Sequence, residues 1–573
     1  MGAYFVIAVV VGLIAGLVVT RLSPVKVFAS ALGVLYFTGF ITTEQVLNKA
    51  TNLGVVTLLA LLLVSLGLEK LNVLTSLSNR LLHPSLGISI LRLGLVTALS
   101  SAFLNNTAVV ATLAGGVQRN KIHRPSKLLI VLSYTAIMGG TMTLIGTSTN
   151  LIVNSFLLDS GGSGFNLFDF FPIGAVATLA GLLTLAVFAK TLPDHAVGDK
   201  AITDYLLEAE VTEDSNLVGK SVADNGLRDL NGLFLVEIVR DGQLITPVTP
   251  REVLHASDKL IFSGDVTRLH VLDEFDGLRS FAMEEGLLRS NLTEVIVLPG
   301  ATVEGRTIKA SGFRSLFDAA VVGVSRAGLP LSGKLGEIVL RAGDSLILAV
   351  GPDFRRRNNL RRNFVVIDSK IDSGRISGSQ SSGMLLGLAM VVIGAALGWF
   401  ELVSGLALLL TFMLATGSVS VRELRRRFPF DLWLIITSAL CVSQALADTG
   451  LIALILAGAE DMLGNLNPIY ALVAVYLVTL IMTELMTNTA AAALIFPLAA
   501  SFAGALQVDV MPFAAAVAFG ASASFLTPFG YTTNLMVQNM GGYRLADYLR
   551  IGAPVSLAYT AVALTLIPRV FPF

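Results

Sequence analysis

Long apolar blocks fill residues 3–193 and 380–573, and a stretch of short, mixed runs separates them. Crossing a bilayer takes about 20 apolar residues, so the blocks predict helices that span or enter a membrane. In the first half they fall at 3–20, 27–40, 54–70, 87–118, 127–158 and 171–191. In the second they fall at 384–399, 402–418, 430–447, 468–501, 512–540 and 552–569. Two blocks in each half are interrupted by polar residues. Block 87–118 breaks at Leu104-Asn105-Asn106-Thr107-Ala108, and block 468–501 at Met486-Thr487-Asn488-Thr489-Ala490. Each reads as a hairpin entering the membrane and returning. Block 127–158 breaks at Gly139-Gly140-Thr141 and Gly146-Thr147-Ser148-Thr149-Asn150. Block 512–540 breaks at Thr527-Pro528-Phe529-Gly530-Tyr531-Thr532-Thr533-Asn534. Each of these reads as a broken span. From Asn106 to Asn150 is 44 positions, and from Asn488 to Asn534 is 46. The expected fold is a polytopic α-helical membrane protein of two repeats, 1–193 and 380–573, each with a re-entrant hairpin and a broken helix. Matched breaks in two halves point to a binding site between them.

Basic residues in the loops set the orientation. One set of loops carries Arg21, Lys26, Lys70, Arg80, Arg119, Lys121, Arg124, Lys127, Arg422, Arg425, Arg426, Arg427, Arg544 and Arg550. The opposite set carries Lys49 and Arg569, and loops 159–170, 448–467 and 502–511 have neither residue type. The rich side is cytoplasmic, in an inner or plasma membrane, and residues 194–380 fall on it. The first hairpin then enters from inside and the second from outside, so the halves are inverted. The first apolar run, Tyr4 to Val19, has no basic residue before it and is read as a membrane helix rather than a signal peptide.

The insert is a tandem repeat. At a constant offset of 86, Gly219 matches Gly305, Lys220 Arg306, Gly226 Gly312, Arg228 Arg314, Gly242 Gly328, and Asp258 Asp344. Each copy predicts a glycine turn, a short helical stretch, a strand (Leu233–Val239; Ala319–Ser325) and a second strand (Lys259–Phe262; Ser345–Ala349). Two small α/β domains are expected, at 204–285 and 290–372, with Asp368 to Ser382 linking back to the membrane.

Hairpin tips inside a bilayer expose helix ends whose backbone groups lipid cannot satisfy, so they must line a polar cavity. Helix N-termini suit anions, and carbonyl or amide oxygens suit a hard cation. Asn and Thr supply both without charge. In the broken spans, Gly146 and Gly530 permit unwound backbone, while Asn150 and Asn534 are placed to cap the resumed helix. Helix-to-helix hydrogen bonding alone is the simpler reading of any one such motif.

With those motifs in view, a resemblance is specific. Ser101-Ala102-Phe103-Leu104-Asn105-Asn106-Thr107-Ala108, Gly139 to Asn150, and Thr483-Glu484-Leu485-Met486-Thr487-Asn488-Thr489-Ala490 resemble the divalent anion:sodium symporter family, in both halves. The insert resembles paired RCK C-terminal domains, and the combination resembles the sulfate-permease-like branch. The resemblance implies a Na⁺ site using Asn106, Gly146 and Asn150, and another using Asn488, Gly530 and Asn534. It implies substrate binding by Asn105, Asn106, Thr107, Thr487, Asn488 and Thr489, a homodimer, and an elevator-like movement. Asn105 and Thr487 stand where the family signatures have serine, and Ser148 and Thr149 where many relatives have two prolines.

Composition narrows the alternatives. The chain has 573 residues, 54% of them hydrophobic and 14% charged, against about 25% charged in soluble domains. Zero net charge gives no field for nucleic acid. One cysteine, Cys441, excludes internal disulfides, and five histidines without ligand spacing give no metal cage. There is no P-loop and no GxGxxG after a strand, so no prosthetic group is expected. A regulatory nucleotide stays open for the insert, with dimerisation the simpler role. Glu484, four positions before Asn488, is read as bracing its hairpin, with proton or cation handling as the rival. No Lys or Arg lies in the four breaks, so a bound dianion needs helix ends and co-bound cations. The expected activity is Na⁺-coupled symport of a small divalent anion, sulfate before dicarboxylate. The rivals are a cation/proton antiporter and a ligand-sensing receptor that transports nothing.

Overall fold

The computed structural model describes residues 2–68, 81–194, 206–264, 275–281, 292–366, 378–449 and 467–573, apart from isolated stretches of one to three residues within them. Arg21, Lys70, Arg80, Arg119, Lys121, Arg228, Gly242, Gly328, most of the 448–467 loop and most of the 368–382 linker lie outside the described residues.

The first half comprises α1 (Gly2–Val19), α2 (Pro24–Phe37), α3 (Thr43–Ala50), α4 (Leu53–Leu68), α5 (Leu86–Ser101), α6 (Asn106–Gln118), α7 (Ser126–Gly140), α8 (Ser148–Asp159) and α9 (Phe171–Val187). The second comprises α10 (Gly378–Ala396), α11 (Leu402–Ala415), α12 (Val421–Arg427), α13 (Phe430–Asp448), α14 (Pro468–Leu485), α15 (Asn488–Ala505), α16 (Met511–Ser522), α17 (Thr532–Gly541) and α18 (Leu545–Val570). Among the described residues five helices are long and apolar enough to cross a bilayer, or six if α3 and α4, bent by 42°, count as one span. Both halves share one apolar core: α9 packs on α18, α5 on α7, and α14 on α16.

Two short helices were not expected. Helix α3 is closed by a full capping box, Thr42 with Gln45, and α12 by Ser420 accepting from Glu423 N. Lys49 on α3 pairs with Asp159 at the end of α8, at 2.8 Å. A carboxylate at a helix C-terminus opposes the helix dipole, and the ammonium offsets that cost.

The insert forms two five-stranded antiparallel sheets. Strands β1 (Leu206–Val211), β2 (Leu233–Arg240), β3 (Gln243–Ile245), β4 (Lys259–Gly264) and β5 (Leu278–Phe281) lie in the order β3-β2-β4-β1-β5. Strands β6 (Leu292–Val297), β7 (Ala319–Arg326), β8 (Leu329–Pro330), β9 (Ser345–Val350) and β10 (Phe364–Val366) lie in the order β10-β6-β9-β7-β8. With strand counterparts paired, the two orders are the same. The 86-residue offset holds in the register: Leu207 faces Phe262 and Thr293 faces Leu348. It holds in the bulges at Leu235/Glu237 and Val321/Gly323, and in the ion pairs Arg240–Asp258 (2.8 Å) and Arg326–Asp344 (2.7 Å). The sheets meet through Val236, Val239 and Ile261 of one and Ile347 and Ala349 of the other. Glu237, beside them, is fully buried, neither of its carboxylate oxygens has a hydrogen-bond partner, and desolvation pushes its pKa up to about 7.

Candidate functional site

Asn105 and Thr487 begin the two helices that follow the hairpin breaks. Asn105 Oδ1 accepts from Thr107 N at 2.9 Å, and Thr487 Oγ1 accepts from Ala490 N at 3.4 Å. Both are helix caps, a role that serine, asparagine and threonine share. Their departure from serine therefore has a local physical explanation.

Asn106 is 4% exposed and joins three elements. Its Oδ1 accepts from Ser101 Oγ at 2.5 Å, and its Nδ2 donates to the Tyr531 hydroxyl at 2.6 Å. A Cβ added at Gly140 would lie 2.6 Å from Asn106 Oδ1, so only glycine lets helix α7 approach the tip this closely. A Cβ at Gly146 would lie 2.5 Å from the Gly140 carbonyl and 3.0 Å from that of Ala102. The Gly140 and Ala102 carbonyl oxygens thus converge on Gly146. Tyr531 is also within 3.1 Å of Thr147 Oγ1, and Thr147 sits 384 positions before it, its own counterpart in the first half. From Thr147 the chain of bonds runs through Thr149 to Ser522 at 2.7 Å.

The breaks share a scaffold. Asn150 Nδ2 donates to Thr143 O at 2.9 Å, and Asn534 Nδ2 to Thr527 O at 3.3 Å and Ser524 O at 2.9 Å. Thr143 Oγ1 donates to the Ala102 carbonyl, and Thr527 Oγ1 to that of Glu484 at 3.2 Å. The asparagines therefore tie each resumed helix back to its own break. Asn534 Oδ1 accepts from Ser133 Oγ at 2.7 Å. Two buried oxygens are left without a hydrogen-bond partner, Asn150 Oδ1 in the first break and Ser524 Oγ in the second. Burying such a group unpaired is costly, and one of the two lies at each break.

The two tips differ in exposure. Thr107, Asn488 and Thr489 are half-buried and Thr487 is exposed. Among the described residues the Asn488 side chain bonds the N–H of Thr489, at 3.0 Å, and no group of the first tip. A Cβ at Gly530 would lie 2.1 Å from Ser524 Oγ and 2.5 Å from Thr483 O, so the second break is also closed around its glycine.

Glu484, at the end of α14, bonds this second break. Its Oε1 accepts from Phe525 N (2.8 Å) and Leu526 N (2.7 Å), and its Oε2 from Thr527 Oγ1 (2.7 Å). It braces the hairpin against the break. Sequence reasoning did not single out Tyr531, Ser101 or Ser524. The offset of 384 pairs Tyr531 with Thr147 and was the available signal. The His123 ring bonds the His83 loop, with its Nε2 2.7 Å from the His83 carbonyl.

Apolar helices around two matched Asn/Thr/Gly breaks, each bonded to residues of the other half, are the build of an integral membrane transporter. The chain belongs to the citrate transporter family (CitMHS), whose profile matches residues 5–520. This is a family of transporters, not of enzymes. A protein of Chlamydomonas reinhardtii named putative sulfur deprivation response regulator is 29% identical over 95% of this chain and 97% of its own length. An uncharacterized transporter of Synechocystis is 27% identical over 94% and 92%. Sodium/sulfate cotransporter 2 of Chlamydomonas reinhardtii is 31% identical over 64% of this chain and 43% of its own length.

Proposed function

We propose that the chain carries a small divalent oxyanion inward together with Na⁺, sulfate first and a dicarboxylate second. The observation that carries the reading is the pair of buried, unpartnered oxygens, Asn150 Oδ1 and Ser524 Oγ, one in each break. A hard cation takes oxygen ligands of this kind. One Na⁺ would be held by Asn106, Asn150 and backbone near Gly146, the other by Ser524, Asn488 and backbone near Gly530, with Asn534 holding that break in shape. The anion would lie between the tips, against Asn105, Asn106, Thr107, Thr487, Asn488 and Thr489. With no basic side chain in these segments, helix N-termini and the two cations would balance its charge, and this ties anion binding to Na⁺. The relatives named sodium/sulfate cotransporters support this choice of ion and anion.

In this reading the halves are inverted repeats, the hairpins enter from opposite faces, and the site-bearing helices move as a body in an elevator-like cycle. The insert is cytoplasmic, resembles RCK C-terminal domains, and serves dimerisation of the chain, with nucleotide regulation as the alternative. The test is Na⁺-dependent uptake of labelled sulfate into proteoliposomes. Asn106→Ala and Asn488→Ala should each abolish it while the protein still folds, and unchanged uptake in both would sink the site. A thermal-shift panel of anions with and without Na⁺ then ranks substrates, since a ligand of the native state stabilises it.

A second reading is favoured by one observation, the relative named a sulfur deprivation response regulator, which matches nearly the whole chain. The protein would then sense an anion and transport nothing. It predicts sulfate binding without counterflow. An antiporter reading rests on Glu484, which the bonds above engage in bracing, and on the RCK-like insert; proton flux in anion-free liposomes driven by a cation gradient would favour it.

A further inference from the structure

The two copies of the insert differ at one surface. In both copies a turn places a residue at positive φ just before the buried aspartate, Ser257 (φ 63°) in the first and Gly343 (φ 83°) in the second. The turn is the same in both: Ser257 N donates to Val211 O and Gly343 N to Val297 O, each at 2.8 Å. Ser257 is exposed. Gly343 is buried, because helix α17 lies against it: an added Cβ would sit 3.1 Å from Leu535 Cδ1 and 3.5 Å from Asn539 Nδ2. Leu535 and Asn539 are four positions apart, on one face of α17. The strand beside the turn follows the same pattern. Ile296 is 1% exposed and packs into the core of the membrane helices, where the first copy has the half-exposed Glu210. Leu298 stands where the first copy has Thr212. Ile296, Val297, Leu298 and Gly343 face Thr532, Leu535 and Met536 across a cavity of about 10 Å³, too small for a ligand larger than water.

The same domain thus carries glutamate, threonine and serine where it is free, and isoleucine, leucine and glycine where it meets α17. Helix α17 begins directly after the second break, and Asn534, next to Leu535, ties it to Ser524 and Thr527. We propose that the second insert domain docks on α17 and brakes the movement of the second break, a regulatory role that rests on the transport reading above. A surface fitted to α17 in one position holds it there, and release lets it move.

The experiment uses the full chain in proteoliposomes and nanodiscs. In a Cys441→Ala background, Gly343→Cys with Leu535→Cys should form a disulfide on oxidation. Cysteine is close to serine in size, and the first copy keeps serine at this turn. Oxidation should lower sulfate uptake about tenfold, within ordinary coupling between sites, and reductant should restore it. Ile296→Glu, Leu298→Thr and Gly343→Ser together give the second copy the residues that the first already folds with. That variant should raise uptake about fivefold and speed amide exchange at residues 532–541. Three results would overturn the brake: a disulfide that leaves uptake unchanged, no disulfide at all, or a triple variant whose α17 exchange is unchanged or whose uptake falls. Absent uptake by the reduced, unsubstituted protein would count against the transport reading alone, and disulfide formation with α17 exchange would still decide the docking.

Discussion

The two breaks solve one problem in different ways. The first is a series of turns. Thr141 N and Met142 N bond back to Met138 and Gly139 carbonyls, Leu144 N reaches Leu167 O, and Gly146 N is met by Thr143 Oγ1 at 3.1 Å. The second is more extended, and its N–H groups at Phe525 and Leu526 point away from its own carbonyls. Glu484 accepts from both; its counterpart in the first half, by spacing from Asn106 and Asn488, is Ala102. The comparison teaches that a carboxylate in an apolar segment can be there for the backbone. Orphan N–H groups away from water need an acceptor, and a carboxylate serves two at once.

Removing that acceptor is the hardest blow to the comparison. Glu484→Ala leaves two backbone N–H groups unpaired, at about 1–3 kcal/mol each, and should lower the thermal unfolding temperature in detergent more than any change in the first break. An unfolding temperature equal to that of the unsubstituted protein would remove the bracing role. Next is Tyr531→Phe, which takes a hydroxyl from Asn106 and Thr147 together. About 1.4 kcal/mol lost at the first tip would raise the Na⁺ concentration for half-maximal uptake about tenfold. Thr143→Val keeps the shape of the first break and drops its bonds to Ala102 O and Gly146 N. A loss of about 1–2 kcal/mol, read by the same unfolding assay, would show that this hydroxyl does for the first break part of what Glu484 does for the second.

The insert allows a parallel test, since Glu237 of the first copy corresponds to Gly323 of the second. The folded protein holds the Glu237 proton up to about pH 7, above the ordinary carboxylate range, so the unfolded chain loses it first. Stability should therefore fall as pH rises through that window, and Glu237→Gln should flatten the fall in melts run from about pH 5 to about pH 8. The smallest effect is expected at the caps. Asn105→Ser and Thr487→Ser exchange one good cap for another, a change of a few tenths of a kcal/mol, and uptake should stay within about twofold. Serine keeps a hydroxyl to face the anion, and a larger loss would show that the amide of Asn105 or the methyl of Thr487 is itself needed there.

The long apolar elements were legible because burial in lipid demands runs that no loop imitates. Helices α3 and α12 were not, because eight and seven mostly polar residues look like connecting loops, and caps rather than hydrophobicity define them. The breaks were legible as Asn, Thr and Gly clusters. Their partners were less so: Tyr531 acts on Asn106 across 425 positions, and nothing local to a tyrosine announces that. Glu484 was visible as an anomaly, yet its role depended on the conformation of backbone about 40 positions away. In the insert, the 86-residue offset exposed the repeat, but not Arg240 and Arg326, whose aspartate partners lie 18 positions further on.

The long reach of the Asn106–Tyr531 bond also bears on synthesis. The first half leaves the ribosome with its polar groups in place and their partners still untranslated. Asn106 waits for Tyr531, Ser133 for Thr533 and Asn534, Tyr134 for the Phe525 carbonyl, and Ile130 N for Tyr543. A chain halted before residue 520 would lack these partners among apolar helices, a debt that only the segment after residue 520 can settle. Completion of the first site therefore waits for residues beyond 520, and a chain terminated before them is marked as unfinished at its centre.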